Sequence, residues 1–527
     1  MSEMPTRRAM LGAGIALAGT AALASRAHAA PLPTPPTARP ADRYVAPDGP
    51  EVMEAESRRG AGPPRRVSLT ATASRIELDE GLTVPTWLYG DRLPGEELRV
   101  TAGDTLAVTL ANHLPQATSL HWHGLTVPND MDGVPGLTQR AIEPGADFTY
   151  RFPVRSPGTY WFHSHSGLQP DRGLYAPLIV EDPREPLAYD HEWVVVLDDW
   201  LDGVDGSTPD AVFAELTNGR RPMTMDMGTG SARTGMPTEA RKPTRGGSDG
   251  PSRLAKGGTS ELLGGHAGDV TYPHYLINGR TPASPETFSA RPGDRIRIRV
   301  INAGGDTAFR IALGGHRMTV THTDGYPVRP STVDALLLGM GERYDVLVTA
   351  GDGVFPLTAL AEGKKASAMA VLRTGAGTAP DASVRPKELD GELPEAGKLV
   401  PDDSVALSPR TPDRTIRFKL TGSMRNYDWA FDKKAYDPAA RHPVRAGERV
   451  RLVFTNPTNM WHPMHLHGHT FAMAGTGAGA RKDTAIILPK RSLTVDFDAD
   501  NPGLWMLHCH NVYHAEAGMM TVLGYER

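Results

Sequence analysis

The sequence is short of cysteine: Cys509 is the only one in 527 residues. A single thiol can close no disulfide within the chain, so Cys509 is a bystander, a reactive group or a ligand. Net charge is also scarce. A formal −5 gives no support for a nucleic-acid or anionic-membrane partner. Beyond the leader, no apolar run is long enough to cross a membrane. What remains is ordinary globular composition, 39% hydrophobic and 22% charged, ample for a full core and long enough for two to four domains.

The leader stands apart. "TRRAMLGAGIALAGTAALASRAHA" sets Arg7 and Arg8 before an apolar run from Ala9 to Leu23 and a small-residue site ending at Ala29. That order reads as an export signal over 1–29. The paired arginines resemble the Tat type, which exports folded proteins, so the Tat machinery is an expected partner. The expected destination is the periplasm, the cell envelope or the extracellular space. The apolar run is about 15 residues against the ~20 needed for a span. Residues 30–64, rich in Pro, Ala and Arg, read as a disordered leader.

Three segments repeat one pattern: "VTAGDTLAVTLAN" (100–112), "ARPGDRIRIRVIN" (290–302) and "VRAGERVRLVFTN" (444–456). Each opens on a Gly-Asp/Glu turn, continues as an alternating strand and closes on Asn nine positions after the Gly. The repeats lie a domain apart. With 56 Gly and 46 Pro, an all-β chain of three consecutive Greek-key β-sandwiches is expected. We place the domains at 65–185, 186–375 and 395–527, with a linker over 376–394. A flexible insert over about 202–268 is expected in the second domain.

The histidines fall on this repeat. Nine residues after the repeat Asn stand "HWHG" (His121, His123) and "HLHG" (His465, His467), whereas the middle copy reads "IALG". "PGTYWFHSH" (His163, His165) likewise matches "PGLWMLHCH" (His508, His510). Alternation puts both histidines of each His-x-His on one strand face. Four such pairs could converge between the terminal domains, and eight imidazoles suffice for about three copper ions. Cys509 points to the face opposite its flanking histidines. With His462, His514 and Met519 it makes a soft His₂Cys set plus a thioether, suited to electron-transfer copper. The first domain offers Thr118, Ser164, Gln169 and Leu174 at the corresponding positions, and so lacks that site.

At these motifs the chain resembles three-domain bacterial multicopper oxidases of the laccase and copper-resistance type. HWHG, HSH, HPMHLHGH and HCHNVYHAEAGM match that family's four ligand motifs in order. The resemblance implies cupredoxin-like sandwiches and four copper ions. It implies type 1 copper on His462, Cys509, His514 and Met519, and type 2 copper on His121 and His465. The type 3 pair would lie on His123, His163, His165, His467, His508 and His510. A donor would give electrons one at a time through an exposed edge of His462 or His514, and dioxygen would be reduced to water at the cluster. Asp132, in "NDMDGVPG", and Glu516 are the implied proton-relay acids.

Two donor classes follow from the resemblance: phenols and aromatic amines, or Cu(I) oxidised for copper tolerance. The thioethers of "MTMDMG" (Met223, Met225, Met227), with Met236 nearby, offer soft ligands for Cu(I). A copper nitrite reductase would have no use for the type 3 histidines. An electron carrier or copper store would not need two ligand sets joined by one strand.

Overall fold

Each repeat segment becomes a strand with the same pair of neighbours. Thr105–His113 runs parallel to Pro64–Asp79 and antiparallel to Asp147–Pro153. Arg295–Asn302 does the same with His191–Trp200 and Arg343–Thr349, and Arg449–Thr455 with Arg414–Thr421 and Ser492–Asp498. The computed structural model describes residues 43–218, 250–473 and 479–527. Among these, each unit is built on two main sheets, of four and four, six and five, and six and five strands, and a further two-stranded sheet lies in the middle unit. A parallel neighbour inside an otherwise antiparallel sheet requires a crossing connection, the mark of a Greek-key sandwich.

The conserved ends of the repeat have a physical reason. The acid after the Gly accepts the N–H three residues upstream, as Asp104 does from Thr101, Asp294 from Arg291 and Glu448 from Arg445. It also binds a cationic or imidazole group of the parallel neighbour or its edge: Arg65, His191 and Arg414 respectively. The closing Asn is fully buried in all three units. Its Nδ2 donates to a carbonyl four or five residues on and to one distant in the chain (for Asn456, two neighbouring ones), and its Oδ1 accepts a backbone N–H two residues on. Buried backbone groups must be paired, so one side chain closes at least three bonds where the chain leaves the sheet.

Three expected loops are more ordered than their composition suggests. Inside the leader read as disordered, α1 (Pro50–Arg59) forms with Pro at its start, Glu51 in its first turn and Arg58 and Arg59 in its last. It buries Val52, Arg59 Nη2 donates to Asn501 Oδ1 at 2.7 Å, and Tyr44 bridges to Glu526. The insert's near flank carries α2 (Pro209–Leu216), which is capped by Thr208 and buries Val212, Phe213 and Leu216. Its far flank pairs Thr259–Ser260 with Gly265–His266. In the linker, Leu389 is fully buried and Glu392 N donates to Asp334. In each case a few apolar anchors in a polar stretch dock onto a sandwich. The export signal and the Met223–Met236 run lie outside the described residues.

Asn302→Ala should unpair the carbonyls of Thr307 and Leu338 and the N–H of Gly304, costing about 2–4 kcal/mol. Calorimetry of the metal-free protein should show a midpoint lowered by roughly 5–10 °C, while Thr319→Ala leaves it within about 1 °C. Equal midpoints would show that the Asn closure is dispensable.

Candidate metal centre

The two terminal units present their histidines in one register. His121 faces His163 across the His121–His123 and Gly158–His163 strands, and His465 faces His508 across His462–Leu466 and Leu504–Cys509. The units then meet ring to ring. His121 stacks on His467 and His123 on His465, each with centroids 3.8 Å apart. His163, His165, His508 and His510 complete the group, at 5.2–6.2 Å from one another and 4.9–5.8 Å from the stacked rings.

What the rings lack identifies the site. His121 Nε2, His123 Nδ1, His163 Nε2, His165 Nε2, His465 Nε2 and His510 Nε2 are buried without a partner, and His467 Nε2 faces His508 Nε2 at 3.1 Å. A buried unpaired polar atom costs about 1–3 kcal/mol, so this concentration in one place calls for metal ions. In six of the rings the opposite nitrogen is committed to protein, whereas His510 Nδ1 is buried without a partner like its Nε2. His121 Nδ1 donates to Asp132 O (2.8 Å), His163 Nδ1 to Ser164 O (2.8 Å), His465 Nδ1 to Asp483 O (3.0 Å) and His508 Nδ1 to Cys509 O (2.9 Å). His467 Nδ1 donates to Asp132 Oδ2 and His123 Nε2 to Asp483 Oδ1, both at 3.0 Å. Such bonds fix the tautomer and aim the free nitrogen inward. Burial first, then mutual repulsion, drives the pKa values of His163, His165, His467, His508 and His510 well below the ordinary imidazole value. They are therefore neutral, as metal ligands must be.

The second set lies one residue away. His462 Nδ1 and His514 Nδ1 are 3.1 Å apart, and Cys509 Sγ is 3.7 and 3.6 Å from them. Met519 is fully buried beside them, its carbonyl accepting the Cys509 N–H at 3.0 Å. Burial pushes the Cys509 thiol well up, so only a bound cation would hold it as thiolate here. Two imidazoles, a thiol and a thioether fit copper. In the first unit the same place is filled by protein: Thr118 donates to Gln169 Oε1 at 2.7 Å, Ser164 to the same oxygen at 2.8 Å, and Leu174 is buried alongside.

One expectation fails. Neither His462 nor His514 has an exposed edge; both are fully buried. The Trp429 ring lies 4.6 Å from His514 and 5.2 Å from His462. His514 Nε2 donates to Asp269 Oδ2 (2.9 Å), which also accepts from Tyr427 OH (2.8 Å). The aromatic residues come from the loop before Ala430–Phe431, a segment with no histidine or cysteine to mark it in the sequence.

The two acids are placed differently. Asp132 is fully buried in the cluster wall, its Oδ1 3.3 Å from His121 Nδ1. Glu516 touches no cluster ring in the hydrogen-bond network. It lines a cavity of about 570 Å³ bounded by His163, His165, His508 and His510. Burial, then the nearby Asp210, pushes its carboxyl up to about 7. Sequence reasoning missed Asp483, Arg343 and Asp269. Asp483 stands 18 residues after His465, whereas Asp132 follows His121 by 11, so the repeat did not flag it. Arg343 and Asp269 lie in the middle unit, which contributes none of these ligand histidines.

Comparison with known proteins agrees with this geometry. Models of the multicopper oxidase family match residues 70–185, 254–377 and 409–526. The chain is 47% identical to the multicopper oxidase MmcO of Mycobacterium tuberculosis, over 99% of this chain and 96% of that protein. It is 31% identical to a copper resistance protein A homolog of Pseudomonas syringae pv. tomato, over 81% and 87% of the two chains. The structure of a laccase from Botrytis aclada superposes with a TM-score of 0.67 at 25% identity, covering 88% of each chain. The sandwiches are thus of the cupredoxin type.

Cys509→Ser should load with copper yet lose the intense blue absorption of a Cys-ligated ion, with the fold retained by circular dichroism. A surviving blue band would refute Cys509 as ligand.

Proposed function

The chain belongs to the multicopper oxidase family and is a copper-dependent oxidase; from that premise we propose that it oxidises small one-electron donors at the His462–Cys509–His514–Met519 site and reduces dioxygen at the histidine cluster. The supporting observation is the set of unpartnered, inward-facing imidazole nitrogens joined to the His₂Cys set by one strand. Four bound copper ions supply the one-electron redox steps and the reduction of dioxygen to water. His121 and His465 are the type 2 ligands in this reading, and His123, His163, His165, His467, His508 and His510 the type 3 ligands. Cys509 is covalently continuous with His508 and His510, so the two ligand sets are separated by a single peptide on either side.

Protons are the chain's own contribution. Asp132 holds a carboxylate against His467 and His121 inside the cluster wall. Glu516 holds a carboxyl, raised to about 7 by burial, at the cavity through which dioxygen and water would pass. Both are placed to relay protons to the cluster, Glu516 as the donor.

Phenols and aromatic amines are the donors of the main reading. Oxidation of cuprous ion is the second, favoured by the Trp429 and Tyr427 cover, which keeps a ring donor off His462 and His514 but does not forbid electron transfer across it. Similarity to the copper resistance protein supports the same reading. The paired Arg7 and Arg8 and the Ala29 site support export by a Tat-type route to the periplasm, cell envelope or beyond.

Oxygen uptake by the copper-loaded protein should require four electrons per dioxygen with a phenol, an aromatic amine or Cu(I). No uptake with any of the three would overturn the oxidase reading. Trp429→Ala should raise kcat/KM for a bulky phenol roughly tenfold, about 1.4 kcal/mol in the barrier, with less effect on Cu(I). An unchanged phenol rate in a variant that keeps its blue band would remove Trp429 as the barrier.

A further inference from the structure

Asp132 and Asp483 hold equivalent places on the two sides of the cluster. Each accepts one imidazole N–H of its own unit on its main-chain oxygen: His121 on Asp132, His465 on Asp483. Each accepts one from the other unit on its carboxylate: His467 on Asp132, His123 on Asp483. The pairs exchange under the same pseudo-twofold relation that equates HWHG with HLHG.

The middle unit breaks this symmetry. Arg343 binds Asp483 with both arms, Nη1 to Oδ1 at 2.7 Å and Nη2 to Oδ2 at 2.6 Å. Its remaining donors reach Gly341 O (3.0 Å) and Thr159 O of the first unit (3.2 Å), and the side chain is fully buried. Asp132 has only histidines among its ion-pair partners in the described residues. The glycines of the two motifs record the difference. A Cβ on Gly124, at φ +87°, would stand 2.3 Å from Arg343 Nη2 and 2.6 Å from Asp483 Oδ2. A Cβ on the equivalent Gly468 would meet the Trp505 ring instead. The fork is supported from behind, because Asp324 Oδ2 accepts the N–H groups of Asp483 and Thr484 and binds Lys482.

We infer that Arg343 is a positioning residue for the histidine cluster: acting through Asp483, it fixes which nitrogens of His123 and His465 face inward and ties the ligand-free middle unit to the geometry of the type 2 and type 3 sites. A bidentate guanidinium–carboxylate pair sets both the place and the plane of the carboxylate, which a single-point ammonium does not. The assignment rests on the reading of the cluster as a copper site.

The test compares copper-loaded wild type, Arg343→Met, Arg343→Lys and Asp483→Asn by copper per chain, the blue band and the fraction of copper visible to electron paramagnetic resonance. Arg343→Met should keep the blue band but lose cluster copper or change its resonance-visible fraction. Its oxygen uptake should fall about tenfold or more. Arg343→Lys should recover part of the cluster signature, and Asp483→Asn, nearly the same shape, should reproduce the Met phenotype even if Arg343→Met does not fold. Unchanged copper content and resonance in Asp483→Asn overturn the inference. So does equal loss of blue and cluster signals in both Arg343 variants, the mark of a merely structural role. Wild type that binds no copper overturns the copper reading itself.

Discussion

Two buried carboxylates, Asp132 and Asp483, hold the boundary between the first and third units together at its most polar point. Packing eight imidazoles in one dry place is unfavourable unless their nitrogens are taken up by protein partners or by metal. Asp132 and Asp483 supply the protein partner for four of the rings across the boundary, each bonding a histidine of the opposite unit while its own carbonyl bonds a histidine of its own. The 3.8 Å ring stacks follow from this pairing. So does the neutral state of the rings, since burial among like groups drives their protons off.

The middle unit, which contributes none of the ligand residues, braces both sites. Arg343 grips Asp483, Asp269 binds His514 and Asp306 accepts the Asn511 amide at 2.6 Å. Asn511 in turn caps α3 (Val512–Glu516) by accepting the N–H groups of Tyr513 and His514. Gly305 O takes the Val512 N–H, and Asp171 of the first unit takes the Tyr513 hydroxyl at 2.6 Å. The loop that carries His514 is thus held from three units at once. Preorganisation of this kind keeps ligands near one geometry through changes of metal oxidation state.

Duplication explains how such an arrangement could arise with few changes. The Thr118–Ser164–Gln169 triad occupies the first unit's counterpart of the His₂Cys pocket with the same strand, turn and spacing. Three hydrogen-bonding side chains satisfy one another there, where the third unit leaves two imidazoles and a thiol to a metal. Trp429 and Tyr427 then close that pocket over, so access to it is governed by a loop rather than by the ligands.

By itself the sequence determined whatever depends on local pattern. Strand alternation, the Gly-acid and Asn ends of the repeat, the four His-x-His pairs and the single Cys509 were all readable because each is fixed by spacing along one strand or turn. It also showed, through Ser164 and Gln169, which unit lacks the His₂Cys site. Only the tertiary structure decided what depends on residues distant in the chain. The order of α1 and α2 rests on a few long-range apolar contacts, and the burial of His462 and His514 on a loop more than 30 residues before His462. The gripping of Asp483 rests on an arginine 140 residues away. Side-chain periodicity carries no information about which strand end a distant guanidinium will reach; that is set by how three sandwiches pack.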